Sequence, residues 1–159
     1  MSGMIRRIVV VLLVLAYIGL GFFREFVFLN INEQMRVAYY NAPDSHLAPA
    51  LSFLGNYGYN TLYYLKWPLT FAFAVLFCAL AVFVIRIGFA TSHYTRLVIM
   101  AFAGVFLLGA LLFLAGWLFN SNATVYDLSR FLAGLVESPV LLLMLGGGIL
   151  YWRQSRGSD

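Results

Sequence analysis

Two adjacent charges, Arg24 and Glu25, interrupt an apolar run that begins at Ile8 and resumes as Phe26-Val27-Phe28-Leu29; a second pair, Arg130 and Glu137, interrupts another run near the far end. Ionisable groups at such depth pair with one another, relay protons, or contact a substrate, lipid or partner, since an uncompensated charge toward a bilayer centre costs about 2.5 to 3.5 kcal/mol even on insertion scales. Neighbours on a helix point about 100° apart, so Arg24 and Glu25 need partners on other segments. Arg24 lies 17 residues beyond Arg7, and Glu137 lies 16 residues before Arg153. At about 1.5 Å per residue, both sit roughly 25 Å from the same membrane edge. Arg130 falls two turns above Glu137 on the same helical face. Depth therefore predicts a crossed set, Arg24 with Glu137 and Glu25 with Arg130. If the first pair forms, Arg24→Ala and Glu137→Ala each lower stability, and the double variant loses less than the sum. Strict additivity in that mutant cycle, with both single variants as stable as the parent, would reduce the residues to separate interfacial charges that snorkel to water.

Other chemistry is thin. A thiol or serine nucleophile needs a base in reach, and the one cysteine, Cys78, falls mid-run, while His46 and His93 fall in separate loops. His46 beside Asp44 is short of the three or four ligands that zinc takes. The glycines 146 to 148 carry no phosphate-loop lysine. The expectation is a chain with no catalytic residue, metal site or cofactor. Asn122-Ala123-Thr124 fits a glycosylation acceptor, a pattern of low information.

The elements that must position these charges follow from composition. Of 159 residues, 63% are hydrophobic and only 10% charged, against roughly half and a quarter in soluble proteins. The reading is an all-α integral membrane protein, a single domain over residues 1–159 and a bundle of four transmembrane helices. The spans are 8–29, 67–89, 97–119 and 128–152, each of the roughly 20 apolar residues that a bilayer requires. Pro68 would sit in the first turn of the second span, beside a Tyr63, Tyr64 and Trp67 belt. Gly109 and Gly116 are seven apart in the third span and share a face open to close helix approach.

The formal charge of +4 is explained by orientation rather than nucleic acid. Arg6, Arg7, Arg86, Arg96, Arg153 and Arg156 gather on one side with only Asp159. Arg24, Arg36, Lys66 and Arg130 face Glu25, Glu33, Asp44, Asp127 and Glu137 on the other. The positive-inside rule puts both termini in the cytoplasm and the 30–66 loop outside the cell inner (plasma) membrane. That loop is expected to hold one or two short amphipathic helices. Asn30 and Glu33 would form the capping box of the first, with Ile31, Met35, Ala38 and Tyr39 as its stripe and Asn41-Ala42-Pro43 as its stop. Ser45 would cap the second, striped by Leu47, Ala50, Leu51 and Leu54 and stopped by Gly55.

Phe23-Arg24-Glu25-Phe26-Val27-Phe28 closing the first helix, with Tyr126, Arg130-Phe131-Leu132, Pro139 and Tyr151-Trp152-Arg153-Gln154 in the last, resembles the small multi-span proteins that accompany exosortases in Bacteroidota. The resemblance covers the first and last helices. It departs from the family pattern at Asn30-Ile31, where Asp-Pro stands, and by about one extra turn between Arg130 and Pro139. It implies a non-catalytic accessory protein, docking on a larger integral membrane protein such as an exosortase-type sorting transpeptidase, with Arg24, Glu25, Arg130 and Glu137 as the contact cluster. The alternative is a small oligomeric transporter, or a ligand- or lipid-binding membrane protein, with Glu137 in a polar cavity.

Overall fold

The computed structural model describes residues 3–42, 46–89, 91–119 and 123–155. Pro43, Asp44, Ser45, Asn122, Arg156 and Asp159, which entered the sequence reading, lie outside them, as does the side chain of Tyr126. Every regular element among the described residues is helical: α1 Gly3–Tyr40, a 3-10 helix Pro49–Asn56, α2 Tyr59–Gly88, α3 Thr95–Leu118, α4 Ala123–Val136 and α5 Pro139–Ser155. Three of them, α1, α2 and α3, are long and apolar enough to cross a membrane. The α4 and α5 pair, bent by 64° at its junction, supplies a fourth if it counts as one span. Helices satisfy every backbone group within the segment, which the hydrocarbon core demands. The chain divides into two compact units, Gly19–Phe73 and the remainder, Met1–Ile18 with Ala74–Asp159.

In the Gly19–Phe73 unit the short capped helix expected after residue 29 does not exist as a separate element, because α1 runs unbroken for 38 residues, about 57 Å. Asn30 is no cap. Its Nδ2 donates back to the Phe26 carbonyl at 2.8 Å, and its Oδ1 accepts the Ala48 amide at 2.8 Å, which clips the loop onto the helix. One turn on, Gln34 Nε2 reaches the Gly55 carbonyl at 3.5 Å, and Asn32 Oδ1 accepts from Lys66 Nζ at 2.8 Å. The polar residues that read as a helix start are fasteners along a helix that continues. What carries the helix onward is the apolar stripe, since Ile31 and Met35 bury against Leu54 and Leu62, with Leu47 and Leu51 packed around them.

Glu33 and Arg36 add a bidentate pair one turn apart, at 3.0 and 2.7 Å. That hydrogen bond from Arg36 holds the Glu33 carboxyl below the usual carboxylate range. Because the folded value is the depressed one, this support is complete at neutral pH and fades as pH falls through it. The helix ends as the sequence indicates. Asn41 adopts φ 50°, and the Ala42 amide donates to the Val37 carbonyl at 3.2 Å, the six-to-one closure of a left-handed cap.

The second loop helix forms as a 3-10 turn whose N-cap is Ala48 and whose end is Asn56 rather than Gly55, with Leu51 out of helical geometry. α2 then starts at Tyr59, two turns before the span expected at 67. The pull is Leu62, wholly buried in the cluster with Ile31 and Met35. Pro68 consequently lies inside the helix and not in its first turn. It has no amide to offer the Tyr64 carbonyl.

In the other unit, α4 lies along α3 over the glycine face expected from the spacing. A Cβ placed on Gly109 would stand 3.4 Å from both Leu132 Cβ and the Ser129 carbonyl, and one on Gly116 would stand 3.5 Å from Val125. A Cβ on Gly104 would meet nothing within 4 Å beyond its own helical turn. Gly109→Leu should therefore destabilise by about 1 to 3 kcal/mol through overpacking, while Gly104→Leu leaves the thermal midpoint in detergent unchanged. Equal midpoints for the two variants would mean that α3 and α4 do not meet at Gly109.

The span expected as one helix over 128–152 is broken. Pro139 cannot donate to the Leu135 carbonyl, and a residue before proline is disfavoured in helical geometry. Ser138 takes the vacated acceptor twice, by its amide at 3.3 Å and by its Oγ at 3.0 Å. α5 then starts afresh at Pro139, the position at which proline costs a helix nothing.

Candidate functional site

The break between α4 and α5 places three polar residues of the larger unit at one junction. Tyr17, wholly buried on α1, donates its hydroxyl to the Ser138 carbonyl at 3.1 Å. Its ring meets Phe77 of α2 edge to face, centroids 4.9 Å apart. A tyrosine brings a large apolar body with one polar tip that must find a partner when buried. Here the tip reaches a backbone carbonyl at the break itself. Immediately before that carbonyl comes Glu137, 4% exposed, its amide still donating to Ala133 at 3.3 Å. Ser129, two turns earlier on α4, is buried as well. An ionisable carboxyl, two hydroxyls and interrupted backbone in an apolar helical setting are the ingredients by which membrane proteins hold a proton, a cation or a polar partner group.

Arg130 does not share that setting. It is exposed while Glu137 is buried, so the common face of the two charges holds in register only. The 100° spacing fixes direction, and what packs at each level fixes burial. The continuous helix that would have carried both also ends at Val136.

Arg24 and Glu25 belong to the Gly19–Phe73 unit and diverge as neighbours on a helix must, Arg24 half-buried and Glu25 exposed. The Arg24 guanidinium carbon lies 4.9 Å from the centre of the Phe28 ring. Phe73, 5% exposed on α2, packs between Phe23 at 6.2 Å and Phe28 at 6.0 Å. The ring face offers the cation an electrostatic partner that survives desolvation. The aromatics of Phe23-Arg24-Glu25-Phe26-Val27-Phe28 thus seat a charge. Each crossed pair expected from depth takes one residue from either unit, and the mutant cycle remains its test.

Three features escaped the sequence reading. Tyr17 carried a signal, a lone hydroxyl amid fourteen apolar or glycine neighbours from Ile8 to Phe22. Ser138-Pro139 carried another, a proline inside a periodic run. A third is the row of tyrosines at the end of the hairpin of α1 and α2. Tyr39 touches Tyr40 at 4.9 Å and Tyr59 at 5.5 Å, Tyr59 stacks on Tyr63 at 6.3 Å, and Tyr63 meets Tyr64 at 5.7 Å. All five are exposed.

Cys78 is half-buried within α2, with His46 in the other unit and His93 in the turn before α3. Among the described residues no three His, Cys, Asp or Glu side chains converge as a metal would require. No family model, curated protein or solved structure matches the chain.

Proposed function

We propose that the chain is a non-catalytic accessory protein of a bacterial inner membrane, docking on a larger integral membrane protein, with an exosortase-type sorting transpeptidase as the partner its first and last helices imply. Both termini are cytoplasmic in this reading, and the hairpin end carrying the 3-10 helix is external. The observation that carries it is the row of Tyr39, Tyr40, Tyr59, Tyr63 and Tyr64, exposed yet held in fixed mutual geometry. Tyrosines present large rigid area at little entropic cost, and they are enriched at protein interfaces. The clips from Asn30, Gln34 and Lys66 order the segment beneath them, so little ordering cost is left for the binding step.

Photo-crosslinking from Tyr40 and Tyr64 positions in native membranes tests it. A stoichiometric adduct with one larger membrane protein, weakened when Tyr39, Tyr59 and Tyr63 become Ser, is the expected result. Adducts with lipid alone would restrict the row to an interfacial belt. The second reading, an oligomeric transporter or ligand-binding protein, is favoured by one observation: Glu137, 4% exposed, stands at a helix break. Proton- or cation-linked uptake by a purified homo-oligomer, abolished by Glu137→Gln, would replace the first reading with the second.

A further inference from the structure

At the junction of α2 and α3 the larger unit holds an open cleft of about 430 Å3, lined by Arg86, Ser92, Thr95, Arg96, Ile99 and Met100. Its chemistry divides in two. Arg86 at the end of α2 and Arg96 at the start of α3 bring two guanidinium groups from separate helices, Ser92 and Thr95 bring hydroxyls, and no carboxylate lines it among the described residues. Ile99 and Met100, one turn further along α3, supply an apolar wall, 47% and 59% exposed. Thr95 Oγ1 is nearly closed to solvent and makes no hydrogen bond among the described residues, leaving a donor for which an anionic oxygen is the natural acceptor.

The described residues of the turn beside the cleft are themselves hydrogen-bonded. The Thr95 amide donates to the Ser92 carbonyl at 3.1 Å, and the His93 amide to Thr91 Oγ1 at 3.2 Å. Tyr94 is braced edge to face on both sides, by Phe89 at 5.7 Å and by Trp152 of α5 at 6.2 Å. Two arginines lining one cleft with no carboxylate among its described residues repel one another, and a phosphate relieves that repulsion while accepting several guanidinium hydrogen bonds.

We propose that this cleft binds a phosphate group, supplied by the headgroup of an anionic phospholipid whose chain runs along Ile99 and Met100. The apolar wall argues for the lipid over a free anion. A basic pocket between membrane helices, with hydrocarbon contact on one side, is the arrangement that recognises such headgroups.

The test uses the full chain in detergent, with phosphatidylglycerol, phosphatidylcholine or inorganic phosphate added. Native mass spectrometry counts bound lipid, and the thermal midpoint reports stabilisation. Phosphatidylglycerol should be retained in preference to phosphatidylcholine. Arg86→Gln and Arg96→Gln should each weaken its retention about fivefold, the effect of one basic residue near an anionic surface. Arg7→Gln, at a basic residue that does not line the cleft, should leave it unchanged. Thr95→Val, close to isosteric, gives a second readout that removes no charge, and it should also weaken binding. Stabilisation by inorganic phosphate to the same extent would uphold the phosphate site and assign it to a free anion. Equal losses for Arg7→Gln and the cleft variants, or retention unaffected by Arg86→Gln, Arg96→Gln and Thr95→Val, would overturn the proposal.

Discussion

Phe77→Ala is expected to lower stability by about 3 kcal/mol, the lower end of the range for truncating a buried aromatic. Phe77 is wholly buried, and its ring packs edge to face on Tyr17. Within a bilayer, lipid tails are as apolar as the protein interior, so the transfer part of the usual cost shrinks and the lost packing contacts remain. The void has a second consequence. Without Phe77 the Tyr17 ring is less confined, and the hydroxyl that caps the Ser138 carbonyl loses its fixed position. Tyr17→Phe isolates that part, with an expected loss of about 1 kcal/mol for one hydrogen bond. Phe77→Leu, which keeps much of the volume, should cost less than about 1.5 kcal/mol. Thermal unfolding in detergent ranks the three variants. A Phe77→Ala midpoint equal to the parent's would show that the Tyr17 and Phe77 contact does not organise the break.

Leu62→Ala should open the hairpin end, at a cost of about 2 to 5 kcal/mol. Leu62 is wholly buried with Ile31, Met35 and Leu54, four residues before Lys66 and beyond the apolar run of α2. In the proposed reading this cluster lies outside the membrane, where the transfer and cavity costs both apply. The damage should stay local, since the clips at Asn30, Asn32 and Gln34 are the other ties of the segment. Limited tryptic cleavage at Arg36 reads the opening, and a loss of 2 kcal/mol corresponds to about a thirtyfold rise in its rate. Unchanged cleavage, or loss of the spans together with the hairpin end, would contradict a locally held cluster. The same variant bears on docking, because the tyrosine row depends on the packing beneath it.

The sequence alone determined the features that depend on composition and local spacing. Its apolar runs demanded membrane helices, because unpaired backbone is intolerable in hydrocarbon. Asn41 announced the end of α1, and the seven-residue spacing of Gly109 and Gly116 announced a close helix contact, which α4 fills. Each of these is settled within a few residues.

Tertiary structure decided where local signals compete. Asn30 is as good a cap as a fastener, and only the nearby Ala48 amide makes it the second. Pro68 marks a helix start in isolation, yet burial of Leu62 draws α2 two turns further back. Pro139, by contrast, does end a helix, with Ser138 taking the orphaned Leu135 carbonyl and Tyr17, 121 residues away, donating to the carbonyl of Ser138 itself. Arg130 and Glu137 share a register that the sequence dictates and differ in burial, which it does not. Periodicity gives the direction of a side chain from its own helix. What waits in that direction, a carbonyl, a ring or open lipid, is set by distant segments, and so only the folded chain decides which charge is covered and which stands exposed.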